Sequence, residues 1–268
     1  MAVYRHNSEE SQTSKGVKMQ TQVVFTSSQS KRLIAKGIKA WEPIRQAMRN
    51  GIVAVAKGTT NAYILEELAG SPYEKSHYVT GRTAPAGADS SWAKADAAEV
   101  IFEKGVPVTG KSAVETVPRM TAGDVFLKGA NALNYDTGQV AILIGHPTGG
   151  TMGGALGGLV SRRVRLVHPV GLEKSVPGDL AVAARRLAEE GPSAGECYGL
   201  WVSQGEAFTE IEALETLFDV EALPVAAGGI AGAEGAVTLA VFGEKTQLEK
   251  VLQFVKEIQK EPPFGPLS

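Results

Sequence analysis

The chain has 268 residues, 43% hydrophobic and 21% charged, a globular balance that excludes collagen-like, coiled-coil and wholly disordered readings and allows one large domain or two modest ones. Lys plus Arg is 27 and Asp plus Glu is 29, a net charge of −2, so there is no global basic field for nucleic acid or an anionic membrane. A small neutral or anionic ligand held by local groups fits better. One cysteine, Cys197, forbids an internal disulfide and a cysteine-rich metal site, which points to a reducing, cytoplasmic setting.

Residues 1–20 are polar and aperiodic, and are expected to form a disordered leader without a signal-peptide core. No later stretch reaches about 18 uninterrupted apolar residues, so no membrane span is expected. From Thr21 short apolar runs alternate with amphipathic segments, the pattern of βα units. TQVVFT (21–26) reads as a strand, followed by a helix capped by Ser28 on which Leu33, Ile34, Ile38 and Trp41 recur at helical spacing; Pro43 should break or kink it. GIVAVA (51–56) reads as a strand buried on both faces and TTNAYILEEL (59–68) as a helix. Candidate strands at 78–83 and 98–103 flank a Gly/Ala/Pro/Ser stretch. Strands at 124–129, 139–145 and 164–171, with helices near 149–162 and 178–190, then look like successive members of a largely parallel sheet.

GPSAG (191–195) reads as a linker. Beyond it come strand 196–203, helix 206–218, strands 220–228 and 234–242, and helix 244–260, in which Leu248, Val251, Leu252, Val255 and Ile258 form one stripe. The expected organisation is an α/β domain over 21–190, with an open, largely parallel sheet and helices on both faces, plus a smaller ferredoxin-like βαββα domain over 196–260 and an extended tail, 261–268. In such sheets ligands sit beyond the carboxyl ends of strands.

Four segments there can carry chemistry. Lys57-Gly58-Thr59-Thr60 joins a strand to a helix and suits a phosphate or carboxylate through first-turn amides, two hydroxyls and an ammonium, although the same residues also suit a plain capped turn. FLKGANALNY (126–135) presents Lys128, Gly129, Asn131 and Asn134, which can read a polyol or acyl ligand or simply form an Asn-rich turn. GHPTGGTMGGALGGL (145–159) holds seven glycines, with His146 at the strand end, suited to act as acid, base or hydrogen-bond donor or to serve as a structural turn residue, and Thr148, Gly149, Gly150 and Thr151 leading into a helix. Gly153, Gly154, Gly157 and Gly158 fall inside that helix, where each costs roughly 1 kcal/mol relative to Ala, so close packing on backbone or ligand is implied. VHPVGLEKSVPG (167–178) repeats the His-Pro step and places Glu173 and Lys174 past a strand, as a working carboxylate or as a surface ion pair. No P-loop, dinucleotide fingerprint, nucleophile elbow or zinc motif is present, and Cys197 reads as a small core residue at the start of a strand.

Two of these segments carry a resemblance. AKGTTNAYILEEL looks like the GTGST-type phosphate turn, and DVFLKGANALN like the strand and DGADE-type turn, of the NagB/RpiA/CoA-transferase-like superfamily, which includes ribose-5-phosphate isomerase, glucosamine-6-phosphate deaminase, CoA transferases, sensor domains of DeoR-type regulators and lactate-utilisation LUD proteins. The likeness covers about half the chain. At the acidic turn this sequence has Lys128, Asn131 and Ala132 where the isomerase carries Asp, Asp and Glu, so ribose-phosphate isomerisation is not expected.

The expectation is a small anionic metabolite, a phosphorylated sugar or an acyl/CoA-type ligand, bound at the sheet's carboxyl edge, with isomerisation or acyl/group transfer as the candidate chemistry. Glu173 would be base or nucleophile, His146 a proton donor or oxyanion partner, and Lys128 an electrostatic stabiliser. A non-catalytic regulatory protein and a structural or assembly protein are the alternatives. CoA is a compatible cofactor, no metal or nicotinamide is implied, and a homo-oligomer is allowed.

Overall fold

The computed structural model describes residues 18–81, 83, 84, 91, 93, 94, 96–189, 195 and 197–265. In chain order the first third forms β1 (Met19–Phe25), α1 (Ser27–Ala40), α2 (Glu42–Asn50), β2 (Ile52–Val55) and α3 (Thr59–Ala69). After a short 3-10 turn at Lys75–Tyr78 come β3 (Val100–Glu103), β4 (Val106–Val108), α4 (Ala113–Thr116), β5 (Val125–Leu127), β6 (Ala132–Asn134), β7 (Gln139–Ile144), α5 (Gly150–Arg162) and β8 (Arg165–Pro169). The rest is α6 (Leu180–Glu189), β9 (Gly199–Ser203), β10 (Glu206–Phe208), α7 (Glu210–Phe218), β11 (Glu221–Ala227), β12 (Val237–Gly243) and α8 (Lys245–Ile258). The fold is mixed α/β.

Local chemistry accounts for most boundaries. α1 is started by Thr26, not Ser28: Thr26 and Gln29 form a reciprocal capping box, and Ser28 is already inside the helix. Pro43 sits in the first turn of α2, where its missing N–H costs nothing, so it opens a new helix after the chain bends at Trp41. No strand forms over 78–81 of the expected 78–83: Tyr78 closes the 3-10 turn and turns inward, donating its hydroxyl to Val55 O (2.5 Å) and accepting from Val100 N (3.0 Å).

The largest sheet has the order β10-β8-β5-β2-β3-β4. β10, β8, β5 and β2 run parallel, with Val53 against Val125 and Val125 against Arg165, whereas β3 and β4 are antiparallel, so the sheet is mixed. Alternating residues face opposite layers: Val53, Val55, Val125, Leu127 and Val167 join the main core with Leu33, Ile34 and Ile38 of α1, while Ala54, Phe126 and Ile101 pack with Ala113, Val117, Ala155 and Leu159.

The glycines inside α5 allow close packing. A β-carbon on Gly154 would sit 2.8 Å from Val114 Cγ1, and one on Gly158 would overlap Val117, so α5 approaches α4 through its glycines. Gly157 faces open space.

Strand pairing departs from expectation in three places. β7 is not in the parallel sheet; it lies between β6 and β9 in a separate antiparallel sheet. β9 and β10 are therefore shared out to the two upstream sheets, and α7 begins at Glu210, after β10 rather than at 206. β11 and β12 form their sheet with β1, from the other end of the chain. The apolar content of 196–260 is thus completed by distant strands and does not form a ferredoxin-like unit by itself. Cys197 is exposed and precedes β9, not a core position. Residues 1–17, most of the Gly/Ala/Pro/Ser stretch, 191–194 of the linker and 266–268 of the tail lie outside the described residues.

Candidate site at the carboxyl edge of the parallel strands

Because β2, β5, β8 and β10 run parallel, their last residues, Val55, Leu127, Pro169 and Phe208, end at one edge. The segments that leave it are laced together. Ala56 N donates to Leu127 O (3.0 Å), Lys128 N to Val167 O (3.0 Å) and Val170 N to Phe208 O (3.1 Å). Buried Asn61, from the first turn of α3, donates through Nδ2 to both Ala56 O (2.7 Å) and Leu127 O (3.1 Å). His168 Nδ1 lies 2.6 Å from Lys128 O, and a carbonyl only accepts, so Nδ1 carries the proton and Nε2 accepts from the Ser203 hydroxyl at 2.6 Å. The backbone of Lys128 is therefore pinned at both its N–H and its C=O.

The charged side chains at this edge form a linked group. Glu173, in a 3-10 turn after β8, pairs with Lys31 of α1 at 3.5 Å. Its carboxylate lies where a β-carbon on Gly171 would be, so only glycine at 171 admits it, and its Oε2 is buried without a hydrogen-bond partner among the described residues. Glu210, fully buried at the start of α7, accepts from Leu172 N at 2.9 Å. Burial, reinforced by the neighbouring Glu173, pushes the Glu210 carboxyl up to about 7. Lys174 donates from Nζ to Ala130 O at 2.7 Å. Burial pushes its ammonium down, Glu173 opposes this, and Lys31 adds to it.

Lys128 is partly exposed and makes no ion pair or side-chain hydrogen bond among the described residues. Burial lowers the pKa of its amine, Glu99 pulls the other way and Lys174 lowers it further. His168 is pushed down to about 4, by burial first and by repulsion from Lys128, against the hydrogen bond to the Lys128 carbonyl. The imidazole is thus neutral at pH 7 and acts as a clamp.

The Lys57-Gly58-Thr59-Thr60 turn stands beside Lys128 on the adjoining strand, but part of it is already occupied. Glu99, just before β3, accepts from Lys57 N (3.2 Å) and from Ala113 N (2.6 Å), and Gly58 N donates to Tyr78 O (2.9 Å). Thr60 is buried and Thr59 partly so. The Lys57 side chain has a partner of its own.

The remaining candidates lie elsewhere. Gly129 packs near Pro169 O at the edge, and Asn131 is exposed and accepts from Leu143 N at 3.1 Å, tying the edge to β7. Asn134 is in β6 and donates to Gly178 O at 2.6 Å. His146 is exposed, and its Nδ1 is 2.9 Å from the Thr148 hydroxyl in a local turn. Gly149 and Gly150 take left-handed backbone conformations to enter α5, whose first turn contains Thr151. Among the described residues no hydrogen bond joins Asn134, His146, Thr148, Gly149, Gly150 or Thr151 to Lys128 or Glu173. The structure brings together Lys128, Gly129 and Glu173, with the 57–60 turn alongside.

Lys31, Glu99, His168 and Glu210 are members of this group that sequence patterns did not single out. Only His168 left a trace, as the second His-Pro step; Lys31 and Glu210 look like ordinary polar positions on amphipathic helices. Two surface hollows, of about 350 Å³ beside Tyr63, Lys75 and Phe264 and about 210 Å³ beside Leu159, Arg163 and Gln204, do not include Lys128 or Glu173. No helix among the described residues is long and apolar enough to cross a membrane. Comparison of the chain with protein-family models, with curated proteins and with solved structures returned no match.

Proposed function

We propose that the protein binds a small anionic metabolite at the carboxyl edge of its parallel strands, with the Lys128 ammonium as the main electrostatic contact. One observation carries this reading: Lys128 is held rigidly at a central strand end, partly open to solvent, without a counter-ion in contact among the described residues. The surrounding charges favour an anion. Glu173 is committed to Lys31, burial keeps Glu210 largely protonated below pH 7, and Lys174 adds a second ammonium. In this reading Glu173 orients Lys31 and does not attack substrate, and His146 takes no part.

The parallel set with a strand–turn–helix at β2 and α3 is compatible with the proposed membership of the NagB/RpiA/CoA-transferase-like superfamily, and phosphorylated sugars and acyl-CoA compounds are the first ligands to try. A ligand at a hundredfold excess over its Kd stabilises by about 2.7 kcal/mol, which for a chain of this size raises Tm by roughly 5–10 °C. The test is a thermal-shift series with sugar phosphates, carboxylates and acyl-CoA, repeated on Lys128→Met. Loss of a charge-assisted contact of about 2 kcal/mol should weaken binding at least tenfold. An unaltered shift in that variant refutes the assignment of Lys128.

A further inference from the structure

Resting on the binding reading above, we infer that Lys128 is a nucleophilic amine, which condenses with the carbonyl carbon of an anionic aldehyde or ketone to form an imine. The geometry supplies what this chemistry needs. The reacting amine must not be held as a salt by a carboxylate in contact, and Lys128, a partly exposed residue, makes no ion pair among the described residues, the Glu99 carboxylate acting on it only through space. Its backbone is fixed by Val167 O and by the neutral His168 imidazole, so the side chain projects from a rigid strand end. A second amine is built in: Lys174 is anchored on the carbonyl of Ala130, just beyond Lys128 in the same turn, with the Glu173 carboxylate favouring its charged form against burial.

The two lysines divide the work. In this proposal Lys174 takes the part of the ammonium that receives the anionic group of the substrate and disfavours a second positive charge at Lys128. Burial, with a smaller push from Lys174 and against the pull of Glu99, lowers the proton affinity of the Lys128 amine, the way amine nucleophiles are activated near neutral pH. The step is balanced within the site. The Lys128 ammonium releases a proton, its nitrogen lone pair attacks the carbonyl carbon, and the C=O electron pair moves to oxygen to give a carbinolamine. Proton transfer to that oxygen lets the C–O bond break with loss of water, leaving a protonated C=N bond. Ammonium plus carbonyl gives iminium plus water, with no oxidant or reductant.

The experiment uses the full chain with pyruvate, and separately with glyceraldehyde 3-phosphate, in the presence of sodium cyanoborohydride, which reduces the imine to a stable secondary amine. Intact mass and peptide mapping locate the adduct. The expected result is a single adduct on Lys128 formed severalfold faster at pH 7 than on surface lysines, since a lowered pKa leaves more free amine. Lys128→Arg, which keeps the charge but cannot condense, should abolish that adduct, and Lys174→Met should slow it. Because a variant at 128 can misfold, the wild-type labelling rate against pH is an independent measurement: its midpoint should lie below that of exposed lysines. A thermal shift with anions but labelling spread evenly over surface lysines overturns the imine and leaves the binding reading standing. Neither shift nor selective labelling overturns both.

Discussion

Replacing Glu210 by glutamine separates two buried titrations that oppose each other. Glu210 is raised from 4.5 to about 7, so between those values the folded chain holds a proton that the unfolded chain has lost, and stability falls as pH rises. His168 is lowered from 6.5 to about 4, so between those values the unfolded chain holds the extra proton, and stability rises with pH. The windows overlap from about pH 4.5 to 6.5, and each group contributes a change of about 2 kcal/mol across it, with opposite signs. In the wild type the two contributions nearly cancel. A glutamine amide in place of the Glu210 carboxyl can still accept from Leu172 N but cannot ionise, so Glu210→Gln should gain about 2 kcal/mol relative to wild type between about pH 4.5 and 6.5 and hold that gain above about pH 7. His168→Asn, which keeps a donor for the Lys128 carbonyl, should lose about 2 kcal/mol relative to wild type over the same interval. Urea unfolding at half-unit steps of pH measures both, and comparison with wild type removes the surface groups common to all three proteins. Parallel profiles for wild type and Glu210→Gln would refute the account of a carboxyl neutralised by burial.

Other substitutions probe the same frame. Gly171→Ala puts a methyl group into the space of the Glu173 carboxylate, and should cost about 1–3 kcal/mol in urea unfolding while loosening the Lys31 pair. Glu99→Gln removes a negative charge within electrostatic reach of Lys128, and should tighten anion binding about fivefold by isothermal titration, equivalent to about 1 kcal/mol. Asn61→Leu leaves the Ala56 carbonyl without its side-chain donor, and should cost about 2 kcal/mol of stability, read by urea unfolding. Arg32 binds Glu66, Glu67 and Glu261 together, and Arg32→Met removes the ion pair of Glu261 while leaving Lys75 to Glu66 and Lys36 to Glu67, so it should cost about 2 kcal/mol, also read by urea unfolding.

Most elements were legible in the residues themselves. The runs at 51–56 and 124–129 are apolar on both sides of the chain because both faces of the central sheet are covered, and the stripe at Leu248, Val251, Val255 and Ile258 is the buried face of α8. Lys128, Gly129 and Glu173 were recognisable as polar positions at strand ends. Partnership was not legible. An apolar run such as QVAILI reports that it will be buried but not by which strand, and β7 was claimed by β6 and β9. β1 and β12 find each other from opposite ends of the chain, a pairing that no local pattern encodes.

The site divides the same way. Sequence determined which groups could ionise and roughly which turns they occupy. Only the tertiary structure decided their charge and neighbours, by burying Glu210 beside Glu173, giving Glu173 to Lys31, and leaving Lys128 open with its backbone clamped by His168. Desolvation and Coulomb interaction act over a few ångströms of space, and those distances join residues as far apart in the chain as Lys31 and Glu173.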